Sequence, residues 1–157
     1  MKKNLLSVLC AMTLILGMSS AFLMNAEASE AISYDHSNLT QDTESVSGPI
    51  YSTRGMYLQS GATAVVKKGK GLLVASGDTV AHQYVDTIKV AVIVEQWNAV
   101  DKYWGQCYSW DANDTNCFSV SSTRTLSVPR GYYYRVRGIH SANSDRGYSY
   151  TNGIWFG

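Results

Sequence analysis

Ile88, Val90, Val92 and Val94 alternate with Lys89, Ala91, Ile93 and Glu95. Side chains on an extended chain change face at every residue, so four branched aliphatics at period two define a strand with one apolar face. The same period runs on from Tyr51. Ala62–Val66 and Leu72–Ala75 flank the glycine-bearing connection Lys67-Lys68-Gly69-Lys70-Gly71, which reads as a hairpin turn. Further strands are predicted over Tyr103–Trp110, Phe118–Val128, Tyr132–His140 and Tyr148–Phe156. No ten-residue stretch there carries a helical apolar stripe. About seven short strands with glycine-rich turns predict an all-β fold, an antiparallel sandwich or small barrel.

The start of the chain reads as an address. Lys2 and Lys3 precede a largely apolar run from Leu5 to Met24, and Ala26-Glu27-Ala28 supplies small residues where a signal peptidase cuts. The pattern predicts export with cleavage before Ser29, and no stable membrane anchor afterwards. A retained anchor is the other reading, since ~20 apolar residues can just span a bilayer. Residues 29–50 have few large apolar side chains and predict a flexible acidic lead-in, leaving residues 51–157 as one β-sandwich domain. The whole chain has 13 basic and 12 acidic residues; losing Lys2, Lys3 and Glu27 leaves 11 of each. Such a balance predicts no nucleic-acid partner, which would call for a concentrated basic patch.

Cys107 and Cys117 are the cysteines that remain after residue 28. In an exported chain they predict a cross-strand disulfide, with the Asp- and Asn-rich residues between them forming a turn; a metal pair or free thiols are the alternatives. A disulfide on the polar side of that hairpin directs Trp104, Tyr108 and Trp110 toward the apolar side; the other reading is an aromatic row that stacks against sugar rings, and parity favours the core. The predicted core is therefore Ile88, Val90, Val92, Val94, Trp104, Tyr108, Tyr132, Tyr134 and Val136. Tyr133, Arg135, Arg137 and Ile139 fall on the opposite face, where Lys89 and Glu95 join them if the two strands are neighbours. That face has two readings: a solvated surface on which Glu95 pairs an arginine across strands, or an aromatic and basic platform for an anionic cell-wall polymer, a glycan or another surface protein.

Catalytic and metal patterns are weak. His140, Ser141 and Asp145 are the letters of a triad, but they sit around one turn and lack a Gly-x-Ser-x-Gly elbow. Asp111, Asn113, Asp114 and Asn116 miss the spacing of a calcium loop. Lys67, Lys68 and Lys70 lack a Walker spacing, and Glu95 with Asp101 lacks a cleft that would make a glycosidase pair. The sequence predicts no catalytic residues, no cofactor and no metal site.

Two resemblances add to this. Leu126-Ser127-Val128-Pro129-Arg130-Gly131-Tyr132 followed by Tyr134 and Val136 resembles the tyrosine corner of immunoglobulin and fibronectin-III sandwiches, which implies a two-sheet sandwich. The stretches TRGMYLQSGATAV, VEQWNAVDKYW, VPRGYYYRVRGIHSA and TNGIWF together resemble a family of small secreted Gram-positive bacterial proteins known only as a domain of unknown function. Many of its members have cysteines where this chain has Ala64 and Ala81. That resemblance implies secretion and a β-fold but no activity. The function expected is a secreted, non-enzymatic module that binds cell-surface or extracellular material; a bacteriocin-like antagonist or other secreted effector is the alternative.

Overall fold

A computed structural model describes residues 37–47, 50–51 and 55–157. The proposed signal peptide, residues 1–28, lies outside the described residues. The elements are β1 (Leu39–Thr40), β2 (Glu44–Val46), β3 (Ile50–Tyr51), β4 (Leu58–Gly69), β5 (Leu72–Asn98), β6 (Tyr103–Ser127), β7 (Tyr132–Ala142), β8 (Asp145–Tyr150) and β9 (Gly153–Phe156). All belong to one sheet with the path β1-β9-β7-β5-β4-β2, to which β3 adds on β4, β6 on β5 and β8 on β7. The β1–β9 pair is parallel and the rest antiparallel, so the sheet is mixed.

The expected all-β class is present, but the molecule is one strongly curled half-barrel sheet and not clearly two stacked sheets. The reason lies in β5 and β6, of 27 and 25 residues. Their ladder runs from Leu72↔Ser127 to Asn98↔Tyr103 with an irregularity between Val80 and Val85. Just beyond that irregularity on β6, Asn116 holds a left-handed φ of 50°, and extra residues on one strand bend a ladder sharply. The ladder folds over at this point. Trp110 Nε1 donates to Ser122 Oγ at 3.0 Å within β6, whereas twelve residues of straight strand would separate them by roughly 40 Å. Gly77 lies where the two halves of β5 meet: a Cβ there would stand 2.8 Å from Val90 Cγ2 and Val92 Cγ2.

The concave side holds the core. Val90, Val92, Val94, Tyr134 and Val136 are fully buried with Val65, Leu73, Ile154 and Phe156, and Ile88 is fully buried in a smaller cluster with Leu58. Three residues expected in this core are elsewhere. Tyr132, at the mouth of β7, is 44% exposed, and Tyr108 is 37% exposed with its hydroxyl donating to the Ser127 carbonyl at 2.9 Å. Trp104 points to the opposite face, because the ladder pairs Val94 with Tyr108 but Glu95 with Gln106, leaving Cys107 as an extra residue. One inserted residue reverses the parity of everything beyond it.

The same continuity removes the disulfide. Residues 111–116, expected as a turn, continue as strand, so Cys107 and Cys117 lie ten residues apart on one strand and are both free thiols. A separation of roughly 30 Å far exceeds the span of a disulfide. The lead-in also differs from expectation. Residues 39–40 and 44–46 within it are β1 and β2, tied down by Gly153 N–H to the Asn38 carbonyl and Ser47 N–H to the Thr63 carbonyl, both 2.8 Å.

Candidate functional site: an aromatic cleft at a split in the sheet

Tyr133, Arg135, Arg137 and Ile139 share the convex face with Glu95 and Lys89, as strand parity requires, and Glu95 lies directly opposite Arg135. The face is covered, however. Glu95 and Arg135 are each only 5% exposed. The Arg135 Nε donates to Glu95 Oε2 at 2.7 Å and the Arg137 Nε to Glu95 Oε1 at 2.8 Å. The Arg135 guanidinium stacks on Trp104 at 4.4 Å and Tyr150 at 5.2 Å, and its Nη1 donates to Ser37 Oγ. Lys89 pairs Asp111 at 2.8 Å, and Tyr133 stacks on Trp155 at 4.9 Å. Burial raises the Glu95 carboxyl, and the charge and hydrogen bond of Arg137 oppose that rise; two guanidinium contacts keep it a carboxylate. Burial pushes Arg135 down to about 10, still far above neutrality. The reversed Trp104 thus converts an expected platform into a small second layer whose arginines are already engaged.

His140 is fully buried, and its ring nitrogens meet Thr79 Oγ1 at 2.8 Å and Ser149 Oγ at 2.7 Å. Ser149 continues to Thr63 Oγ1 at 3.0 Å. Burial lowers His140 to about 4, so it is neutral at physiological pH. Asp145 is turned elsewhere, accepting from the Tyr57 and Leu58 N–H groups at 2.6 and 3.0 Å. The three letters of a triad therefore form no triad. Asp111, Asn113, Asp114 and Asn116 are spread along a strand, and among the described residues no three His, Cys, Asp or Glu side chains gather as a metal site.

The residues that do form a cavity were not singled out from the sequence as a group. Pairing of β5 with β7 stops at Gln96↔Tyr134. Beyond it β5 continues beside β6 to Asn98, while Tyr132 and Tyr133 pair with Phe156 and Trp155 of β9. The two strand ends diverge and leave a cleft of about 740 Å³. Trp97, Tyr103, Tyr132, Tyr133, Trp155 and Leu39 line it. Gln96 and Gln106 add side-chain amides, whereas the Asn98 amide, also at the cleft, is engaged within its own turn by Val100 and Asp101. No carboxylate, imidazole, ammonium or guanidinium group lies among the lining residues.

Both walls are braced. Trp97 packs on Trp104 at 5.2 Å, and Tyr133 accepts a hydrogen bond from Gln41 Nε2 at 3.1 Å. Tyr134 passes beneath the rim and donates to the Pro129 carbonyl at 3.0 Å. The corner bond expected near Tyr132 is thus made by Tyr134, leaving Tyr132 free to face the cleft. Cys107, the bulged residue, also borders it, with burial raising its thiol above the usual range. The periodicity of the sequence held no signal for this site, because the cleft depends on where strand pairing ends.

The described residues thus form an all-β half-barrel whose cleft is lined by aromatic and uncharged polar side chains. Residues 23–154 match the family of unknown function DUF6147, and the chain belongs to that family. No curated protein and no solved structure matches it.

Proposed function

We propose that this is a secreted, non-enzymatic binding protein and that the cleft holds a saccharide of a cell surface or extracellular polymer. The cleft itself carries the reading. Aromatic side chains offer flat apolar faces that suit the C–H surface of a sugar ring, while amides can meet hydroxyls from the sides. The absence of any acid–base pair among the lining residues disfavours hydrolysis of a bound glycan. Export rests on the paired lysines, apolar run and Ala26-Glu27-Ala28.

The test is titration of the purified exported chain with solubilised wall and capsular saccharides, followed by tryptophan fluorescence. Tyr103→Ala and Tyr132→Ala remove rings that are 53% and 44% exposed. Each should weaken binding while shifting stability by less than about 1 kcal/mol. Binding that survives both substitutions would exclude the cleft.

A further inference from the structure

We propose that the saccharide is anionic, and that its charged substituents run from the cleft over Arg130 onto Lys70; the inference rests on the saccharide reading above. The β4–β5 turn is fastened to the cleft wall. Lys67 Nζ donates to the carbonyl of Trp155, a lining residue, at 3.0 Å and lies over the Phe156 ring at 5.7 Å. Gly71, at a φ of 74°, accepts from Val128 N–H at 2.9 Å. A Cβ on Gly71 would stand 3.8 Å from Arg130 Cγ, which places Arg130 against the lysine-bearing turn. Arg130 in turn directly precedes Gly131 and Tyr132, both cleft residues. A continuous path therefore leads from Tyr132 through Arg130 to Lys70.

The cations along it are available. Elsewhere Lys89 is paired with Asp111, Arg135 and Arg137 with Glu95, and Arg124 lies over Trp110. Among the described residues no ion pair engages Lys68, Lys70 or Arg130, and all three are exposed. Asp101 on the β5–β6 turn is held by the Asn98 amide at 2.8 Å and sits beside Lys102; Asp42 borders β4 next to Thr43. Glu44, opposite Val66, lies beside the same end of β4, so the cations that reach toward the cleft are Arg130, next to Gly131, and Lys70, next to Gly71. A neutral sugar could use only the rings and amides; a sugar carrying carboxylates could use both parts.

The experiment compares a uronic-acid hexasaccharide with its carboxyl-reduced counterpart, against the full exported chain and a Lys70→Ala/Arg130→Ala variant. The acid form should bind the unaltered protein about tenfold more tightly at low salt, and high salt should erase the difference. The double substitution should remove that advantage, leaving the melting temperature and the affinity for the reduced sugar unchanged. Equal binding of the two sugars would overturn the charge inference while leaving the saccharide reading intact. Failure of both sugars to bind would overturn both. Equal weakening of both by the variant would mean that the lip acts through shape, and would also overturn the inference. So would binding of a ring-free poly(glycerol phosphate) as tight as that of the acid sugar.

Discussion

His140 shows how little a residue's identity says about its role until its neighbours are known. In sequence it stands near a serine and an aspartate; in the fold it is a fully buried member of a hydroxyl chain with Thr79 and Ser149. Its proton affinity makes a measurable difference. Between its ordinary 6.5 and about 4, the unfolded chain takes up a proton that the folded chain resists. The associated stability is present above the higher value and lost progressively as pH falls to the lower. The loss should amount to about 3 kcal/mol, read from urea melts across that interval, and His140→Gln should flatten the slope. Tyr134 offers a second test. Tyr134→Ala should cost about 3–5 kcal/mol by emptying core volume, and Tyr134→Phe about 1 kcal/mol by removing the bond to Pro129. Parity made Tyr134, Val136 and the 88–94 aliphatics legible as core. It could not place Tyr132, whose alternation with Tyr134 continues past the point where its strand leaves β5.

Two elements expected as separate strands are one. Tyr103–Trp110 and Phe118–Val128 are joined within β6 through residues whose Asp and Asn content suggested a turn. Those residues are exposed except for half-buried Ala112 and Cys117. Edge strands tolerate polar side chains, since only one of their sides is paired. Local propensity was overruled by a ladder in which apolar β5 supplies the partner groups. The thiols report this directly. Iodoacetamide should modify Cys107 without prior reductant, Cys117 more slowly, and intact mass should be the same before and after reduction. A two-proton mass difference would contradict the continuous strand. The fold-over in β5 has its own test at Gly77. A methyl group there meets two valines within β5, so Gly77→Ala should cost about 1–3 kcal/mol. Periodicity revealed both strands but neither the Cys107 bulge nor the bend, each of which depends on tertiary pairing and not on composition.

At the scale of the molecule, residues 37–47 tie together strands far apart in sequence, pairing with β9 at one end and β4 at the other. Ser37 Oγ donates to the Thr151 carbonyl at 2.8 Å, and Asn152 N–H donates to Ser45 Oγ at 2.9 Å. Ser47 and Thr63 exchange two bonds of 2.8 Å. Ser47 thereby extends the chain of polar groups that runs from Thr63 through Ser149 to His140. Low hydrophobicity made this segment look like a lead-in, because its binding to the body uses backbone and hydroxyl groups that carry no apolar period. Its compact unit begins at Asp35. A chain beginning at Asp35 should therefore keep the melting temperature of the exported protein, whereas one beginning at Tyr51 should lose several degrees or more. The shorter chain would leave the Thr63 N–H and carbonyl without their Ser47 partners, a cost of about 1–3 kcal/mol for each buried group left unpaired. Because Ser37 also touches Arg135 and Gln41 touches Tyr133, the truncation should weaken ligand binding at the cleft as well. Equal melting temperatures for the two chains would show that residues 37–47 rest on the sheet without stabilising it.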